Sequence, residues 1–526
     1  MIYLARRLFG LAAFGRGSPM RLEALPHYAE SVLRPSGHGQ LPLLTSLYQA
    51  EGFGSPSPWL MPMAGSSPAP LASKSERRIK AVVDGSKWQF CTLGVWLPGC
   101  SVASERPGEA GYSALFARLA QTCTAKSGAT EWNNRCSLAL ASSLHVVPSR
   151  DGLFMGCLVA PEKLPEALDA LMEAVLFPAL EPSTADQKLL TETRDIEMRR
   201  MVEETPDVFM QELLYLQMFS AKGLGNSILA QGEAATQSYG SFCAKATTGM
   251  VVGLSGGHFS ADDFAQMLSE RSGGLEVVLG GKEHPVAPIE SVGSGPLFIE
   301  DSCFGESFAL ASANRWHGKT HFIIGWPTGP SSCIRQATVP QALTAAMLGG
   351  GSAFSAGGPG KGLYSRLYCE LLNRYAWIED AHCMFQSHST AGWLGIYLAV
   401  EQRWEPAAVE IAIRQLVRLH CAVDDVQWRR SKNRLKSMLL MGIESRLAHL
   451  EALLRARMTL SPETHFPDGL LHSIDAFSLA DLRQFRDRLL GKGRMLPTLA
   501  AAGEDLSAFP TFSDSLGMLE AALARA

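Results

Sequence analysis

This 526-residue chain predicts an α+β architecture of two homologous halves. Three observations carry that prediction. Apolar runs of strand length alternate with longer helical runs and hairpin-like returns, the pattern of a mixed, largely antiparallel sheet with helices packed on it. Several segments recur in the same order in the two parts of the chain. A stretch rich in glycine and proline, Gly280 to Pro296, lies between those parts as a natural hinge.

The elements follow in order. Residues 1–34 carry Arg6, Arg7, Arg16 and Arg21 among Leu, Phe and Ala, with no acid before Glu23. That basic, acid-free composition is what a mitochondrial targeting segment needs; a surface helix is the alternative. Residues 35–79 hold Gly54-Ser55-Pro56-Ser57-Pro58 and Ser66-Ser67-Pro68 and read as an extended arm. The N-terminal half is expected over 80–280, a hinge linker over 281–298 and the C-terminal half over 299–526. In the first half, the apolar strand Gly152 to Val159 leads into a helix from Pro165 to Leu176. In the second, Gly392 to Ala399 leads into Pro406 to Leu419. Cys91 to Leu97 corresponds to Phe322 to Trp326. Phe259 to Phe264 matches Phe477 to Leu482, and each match has a serine N-cap with an acid three residues on, close to a capping box.

Composition narrows the function classes. Hydrophobic residues make up 46% and charged residues 19%, enough for large cores, and a net charge of −4 does not call for nucleic acid. The eleven cysteines include no C-x-x-C pair, which reads as reduced thiols in a non-secretory compartment. No apolar run is long enough to cross a bilayer, so membrane association would come through partners.

The most specialised segment is Gly349-Gly350-Gly351-Ser352-Ala353-Phe354-Ser355-Ala356-Gly357-Gly358-Pro359-Gly360-Lys361-Gly362, followed by Leu363, Tyr364, Ser365 and Arg366. Seven of its fourteen residues are glycine, so its backbone can approach another chain closely. It is not a phosphate-binding P-loop. The first glycine of that motif falls on Ser355, its final hydroxyl on Gly362, and a helix from Gln341 to Leu348 precedes it where a strand is required. A plain flexible connector is the bland alternative. Lys361, Tyr364 and Arg366 argue instead for a loop positioned against a partner.

The string GGGSAFSAGGPGKGLYSRLY resembles the glycine-rich loop of the α-type, non-catalytic branch of the pitrilysin-type zinc peptidase family. That branch comprises processing-peptidase α subunits and complex III core proteins. Ser431 to Met441 with Glu444-Ser445-Arg446 is similar to the family's long helix in its second half, and Ala117-Arg118-Leu119-Ala120 is similar to its D-R-L-A segment. The resemblance spans roughly residues 80 to 520 and implies a clamshell of two homologous halves. Catalytic members carry H-x-x-E-H on one helix and a glutamate on a later one, holding Zn²⁺ with an open position. Carried onto this chain, the first histidine position is Ala114, the general-base position Ala117, the second histidine position Arg118 and the third-ligand position Arg199, with Glu197 and Glu203 nearby. Alanine has no lone pair and a guanidinium repels a cation, so no catalytic centre and no bound metal are expected here.

No substitute site emerges. His317 and His321 are separated by Gly318 at a strand start, and His382 and His388 read as core or surface histidines. The resemblance implies that Gly349–Ser352, Phe354, Ser355, Gly357–Gly362, Tyr364 and Arg366 bind an extended, Arg-rich presequence, delivered to a β-type (core 1) partner that holds the zinc. Glu203, Glu204 and Asp207 are candidate acids for its arginines, a solvated helix face being the plainer reading. The expected setting is the matrix side of the mitochondrial inner membrane, among complex III subunits. A soluble matrix peptidase subunit and a purely structural core protein are the alternatives.

Overall fold

The computed structural model describes residues 78–85, 88–106, 108–180, 184–219, 223–228, 239–279, 295–300, 316–352, 364–419, 423–459, 466–490 and 496–525. Residues 1–34, expected as a targeting segment, and most of those expected as arm and hinge lie outside the described residues.

The chain runs β1 (Arg78–Asp84), β2 (Cys91–Leu97), α1 (Tyr112–Thr122), α2 (Ala129–Ala139), β3 (His145–Pro148), β4 (Leu153–Val159), α3 (Leu164–Leu176), α4 (Thr184–Glu204), α5 (Pro206–Met218), α6 (Tyr239–Cys243), β5 (Val251–Ser255), α7 (Ala261–Ser269) and β6 (Glu276–Leu279). The second half follows with β7 (Gly295–Glu300), β8 (Lys319–Thr328), α8 (Val339–Leu348), β9 (Gly350–Ser352), β10 (Ile378–Ser387), β11 (Gly392–Glu401), α9 (Glu405–Val417), α10 (Asp425–Gly442), α11 (Arg446–Thr459), α12 (Asp468–Ala476), α13 (Leu479–Leu490), β12 (Thr498–Gly503) and α14 (Phe512–Ala524). β1 and β7 each take in residues expected as arm or hinge. Pro296 is tolerated there because β7 is an edge strand among the described residues, where proline is commonly found.

Two six-stranded sheets result, in the orders β3-β4-β2-β5-β1-β6 and β7-β12-β8-β11-β10-β9. Written from the other end, the second order matches the first strand for strand: β10 for β3, β11 for β4, β8 for β2, β12 for β5 and β7 for β1. The duplication read from three segments is therefore a duplication of topology. Among the described residues each half adds one unmatched edge strand. In the first half it is β6; in the second it is β9, the root of the glycine-rich loop.

The repeated serine caps have the same chemistry in both halves. Ser260 Oγ accepts from Asp263 N at 3.1 Å, and Ser478 Oγ accepts from Asp481 N at 3.2 Å, each acid reaching back to the cap amide. One face of each sheet is covered by helices of its own half, giving two main cores. The opposite faces are covered by exchange. Phe209, Met210, Leu213 and Leu214 of α5 pack on β8, β11 and β12, whereas Leu450, Leu453 and Leu454 of α11 pack on Trp96, Phe154 and Val251. Each half thus lends a helix to the other's sheet.

Close approach of the lent helices needs strands without side chains. Gly94 pairs with Gly156 on one side and Gly253 on the other, so a bare strip crosses three strands. A Cβ on Gly253 would lie 2.5 Å from Leu454 Cδ2, and one on Gly325 in the second sheet 2.8 Å from Leu214 Cδ2. Interiors packed at crystal density leave no room for those atoms.

Candidate functional site

α1 and α4 carry the positions where the resemblance puts metal ligands. α1 starts after Gly111, whose φ of 91° is a turn only glycine adopts at ease. Its first amides are held by the buried Glu105, which accepts from Gly111 N at 3.0 Å and Ser113 N at 2.8 Å. Ala117 is buried in the N-terminal core, and Ala114 and Arg118 lie on the part-exposed side of the helix. Among the described residues the shielded Arg118 Nε has no hydrogen-bond partner. On α4, Arg199 is half-buried, and Arg200 pairs with Glu204 at 2.9 Å. Ala114, Ala117 and Arg118 offer a divalent cation no donor, and among the described residues no three His, Cys, Asp or Glu side chains converge as a metal site. The residues do not fit zinc.

Burial pushes the Glu105 carboxyl up to about 7, against the pull of its two backbone donors. A carboxyl raised from 4.5 folds more readily when protonated, so its contribution to stability is fullest below about pH 4.5 and falls as pH rises through 7. The expected loss over that window is up to about 3 kcal/mol. Chemical denaturation from pH 4.5 to 8, wild type against Glu105→Ala, checks it; equal pH slopes would refute it.

The second candidate is the root of the glycine-rich loop. β9 pairs antiparallel with β10, with Gly350 opposite His382, Gly351 opposite Ala381 and Ser352 opposite Asp380. It is the outermost strand, so its far edge has no strand partner among the described residues. Gly349 and Gly350 have φ of 57° and 103°, and a Cβ on Gly350 would lie 1.8 Å from the Ala381 carbonyl oxygen. The two ends of the loop are stapled together: Gly350 N donates to Ser365 Oγ at 3.0 Å, Cys383 N donates to Gly349 O at 2.9 Å, and Arg434 reaches across to Ala346 O at 3.2 Å.

Tyr364 and Arg366, grouped as binding residues on the sequence, have different surroundings. Tyr364 is 72% exposed, with the Arg430 guanidinium 5.0 Å over its ring. Arg366 is buried and donates to the carbonyls of Arg418 and Leu419 and to Gln427 Oε1. It therefore anchors the loop and presents no free guanidinium. Phe354, Ser355, Gly357, Gly358, Pro359, Gly360, Lys361 and Gly362 lie outside the described residues. Among the candidate acids, Glu203 and Glu204 are exposed, whereas Asp207 is buried and faces His382.

Sequence reasoning missed the polar groups buried between the halves. Arg150, in the turn between β3 and β4, pairs with Glu212 of α5, donates to the carbonyls of Leu224 and Asn226 at 2.7 and 2.5 Å, and lies 3.7 Å over the Tyr215 ring. Asp151 accepts from Ser389 N at 2.8 Å and from Ser389 Oγ, and Tyr215 Oη meets His388 Nε2 at 2.5 Å. Burial holds the His388 imidazole well below its usual pKa, so it is neutral. The dipeptides Arg150-Asp151 and His388-Ser389 occupy corresponding turns of the two sheets, a correspondence visible only once the sheets are superposed in order. His321, also buried, is pushed down to about 4 and shares its Nδ1 with Tyr397 Oη at 2.8 Å.

Comparison with known proteins places this geometry. Residues 81–232 match the model of the insulinase-type peptidase family M16, and residues 310–435 match that of the M16 inactive domain, together just over half of the chain. The probable mitochondrial-processing peptidase subunit alpha of Schizosaccharomyces pombe is 37% identical over 164 residues, 30% of this chain and 33% of that protein. The mitochondrial-processing peptidase subunit alpha of Homo sapiens is 34% identical over 194 residues, covering 37% and 35%, and that of Solanum tuberosum 33% over 193 residues, covering 36% and 37%. The aligned stretch spans about a third of the length of these relatives. A chain of Complex III2 from Candida albicans superposes with a TM-score of 0.62 at 15% identity, covering 84% of this chain and 97% of that one, which shows a shared fold.

Proposed function

Because the chain belongs to peptidase family M16, we propose that it acts as a non-catalytic, α-type subunit that binds presequences and presents them to a zinc-bearing β-type partner. Its setting in this reading is the matrix side of the mitochondrial inner membrane, as a core subunit of complex III. One observation carries the reading. The helix positions that would hold zinc bear Ala114, Ala117 and Arg118, while the glycine-rich loop keeps a root built into a sheet edge.

The root suits an extended peptide. β9 has no strand partner on its outer edge among the described residues, although the Gly350 amide there already donates to Ser365 Oγ, and strand addition at an edge recognises main chain irrespective of side chains. Tyr364 and Arg430 stand beside the loop's far end as an exposed aromatic and cationic pair. Asp207 faces His382 and is not free to meet presequence arginines. No helix among the described residues is long and apolar enough to cross a membrane, so complex III membership rests on protein contacts.

Excising residues 353–362 and leaving β9 in place is expected to weaken binding of a synthetic Arg-rich presequence peptide at least about tenfold, without changing co-purification of the β-type partner. Unchanged peptide affinity would reduce the loop to a connector. Elemental analysis of the isolated full chain should find no stoichiometric zinc; one tightly held zinc per chain would overturn the non-catalytic assignment.

A further inference from the structure

We infer that His382 is a positioning residue, an imidazolium bridging Asp380 and Asp207 that fixes the root of the glycine-rich loop against α5. The inference rests on the proposed presequence-binding role of the loop for its functional meaning, but its structural content stands apart. β10 is the only strand that pairs with β9 among the described residues, and the residue opposite Gly350 is His382. That histidine is buried. Its Nδ1 lies 2.9 Å from Asp380 Oδ1 on its own strand, opposite Ser352, and its Nε2 lies 3.7 Å from Asp207 Oδ2 in the first turn of α5. α5 is the helix lent by the first half, so this ion pair ties the loop-bearing edge of one half to an element of the other.

Buried charge groups rarely converge without a task, and the described groups that face this one are few; at 3.7 Å the Asp207 contact is an ion pair and not a hydrogen bond. Asp380 faces it from β10 and Asp207 from α5. From β11 comes the Tyr397 ring, 4.9 Å away, whose hydroxyl meets the neutral His321 of β8. From β9 the Gly350 backbone comes close, and a Cβ there would lie 2.7 Å from His382 Cα. Burial opposes the imidazolium, yet Asp380 and then Asp207 outweigh it and hold the pKa up to about 9. A raised histidine contributes fully below its unfolded value of 6.5, and that contribution is lost as pH rises through 9.

The pair therefore does for the loop what a second layer of contacts does for a binding residue. It selects one orientation of β10's edge relative to α5, and β9 follows because three register pairs join it to that edge. Without the charge, Asp380 and Asp207 would face each other across a neutral imidazole, with no cation to offset their mutual repulsion.

Amide hydrogen exchange on the full chain tests this without recourse to activity. His382→Gln and Asp207→Asn should each lower protection of the Gly349–Ser352 amides at pH 7.5 by about tenfold, and the double variant should go little further, because both remove one interaction. Wild-type protection of the same amides, corrected for intrinsic exchange, should fall towards the variants' level above pH 9. Affinity for the presequence peptide should drop in parallel. Protection unchanged in both variants would overturn the inference, whatever the peptide does. Conversely, protection lost with peptide affinity intact would leave the latch standing and count against the presequence reading.

Discussion

Replacing Arg150 with methionine is expected to cost about 3–5 kcal/mol of folding stability, the range for breaking a buried ion pair from one side. The guanidinium is 6% exposed and meets Glu212, two carbonyls and the Tyr215 ring at once. Methionine can fill the volume but leaves the Glu212 carboxylate and both carbonyls without a donor in a desolvated place. The penalty falls where α5 crosses from one half to the other, so the second sheet loses its cover with it. Urea denaturation followed by tryptophan fluorescence reads the loss, since Trp393 lies against Tyr215. A paired replacement, Arg150→Met with Glu212→Leu, should recover most of it, because an apolar pair leaves no stranded charge. A single variant within 1 kcal/mol of wild type, an order-of-magnitude threshold, would show that solvent reaches the pair.

The second large effect is expected from Gly350→Ala. Its φ of 103° is strained for any L side chain, and the new Cβ would meet the Ala381 oxygen at 1.8 Å, a backbone atom that cannot rotate aside. β9 must leave β10, breaking the ladder at the loop root. Because β9 is an edge strand, the global unfolding midpoint should move little. Presequence-peptide affinity should fall about tenfold or more, as the loop loses its fixed anchor. Gly442→Ala, at a position where nothing lies within 4 Å, is the matching control and should be neutral. Retained exchange protection at Gly349–Ser352 in Gly350→Ala would sink the prediction.

Much of the fold was legible in the residues. The strand-to-helix repeats at Gly152 and Gly392 show in local apolar periodicity, and the serine caps at Ser260 and Ser478 form as read because their hydrogen bonds close within three residues. That Ala114, Ala117 and Arg118, where the resemblance puts metal ligands, carry no metal donor is a matter of residue identity alone. Arg366 was not legible in this way. A guanidinium beside a loop reads as a hand held out, and only the carbonyls of Arg418 and Leu419, some fifty positions away, turn it inward.

By itself, then, the sequence determined the duplicated architecture, the donor-free side chains at the positions the resemblance assigns to metal ligands, and the place of the glycine-rich segment. These depend on short-range periodicity and on what a side chain can or cannot donate. Tertiary structure alone decided that the halves exchange α5 and α11, that bare strips at Gly94, Gly253 and Gly325 receive them, and that His382 meets Asp207. Those facts arise where segments more than a hundred residues apart are pressed together and water is driven out. There an ordinary histidine or arginine acquires its partners from the packing, and no local pattern in the chain announces them.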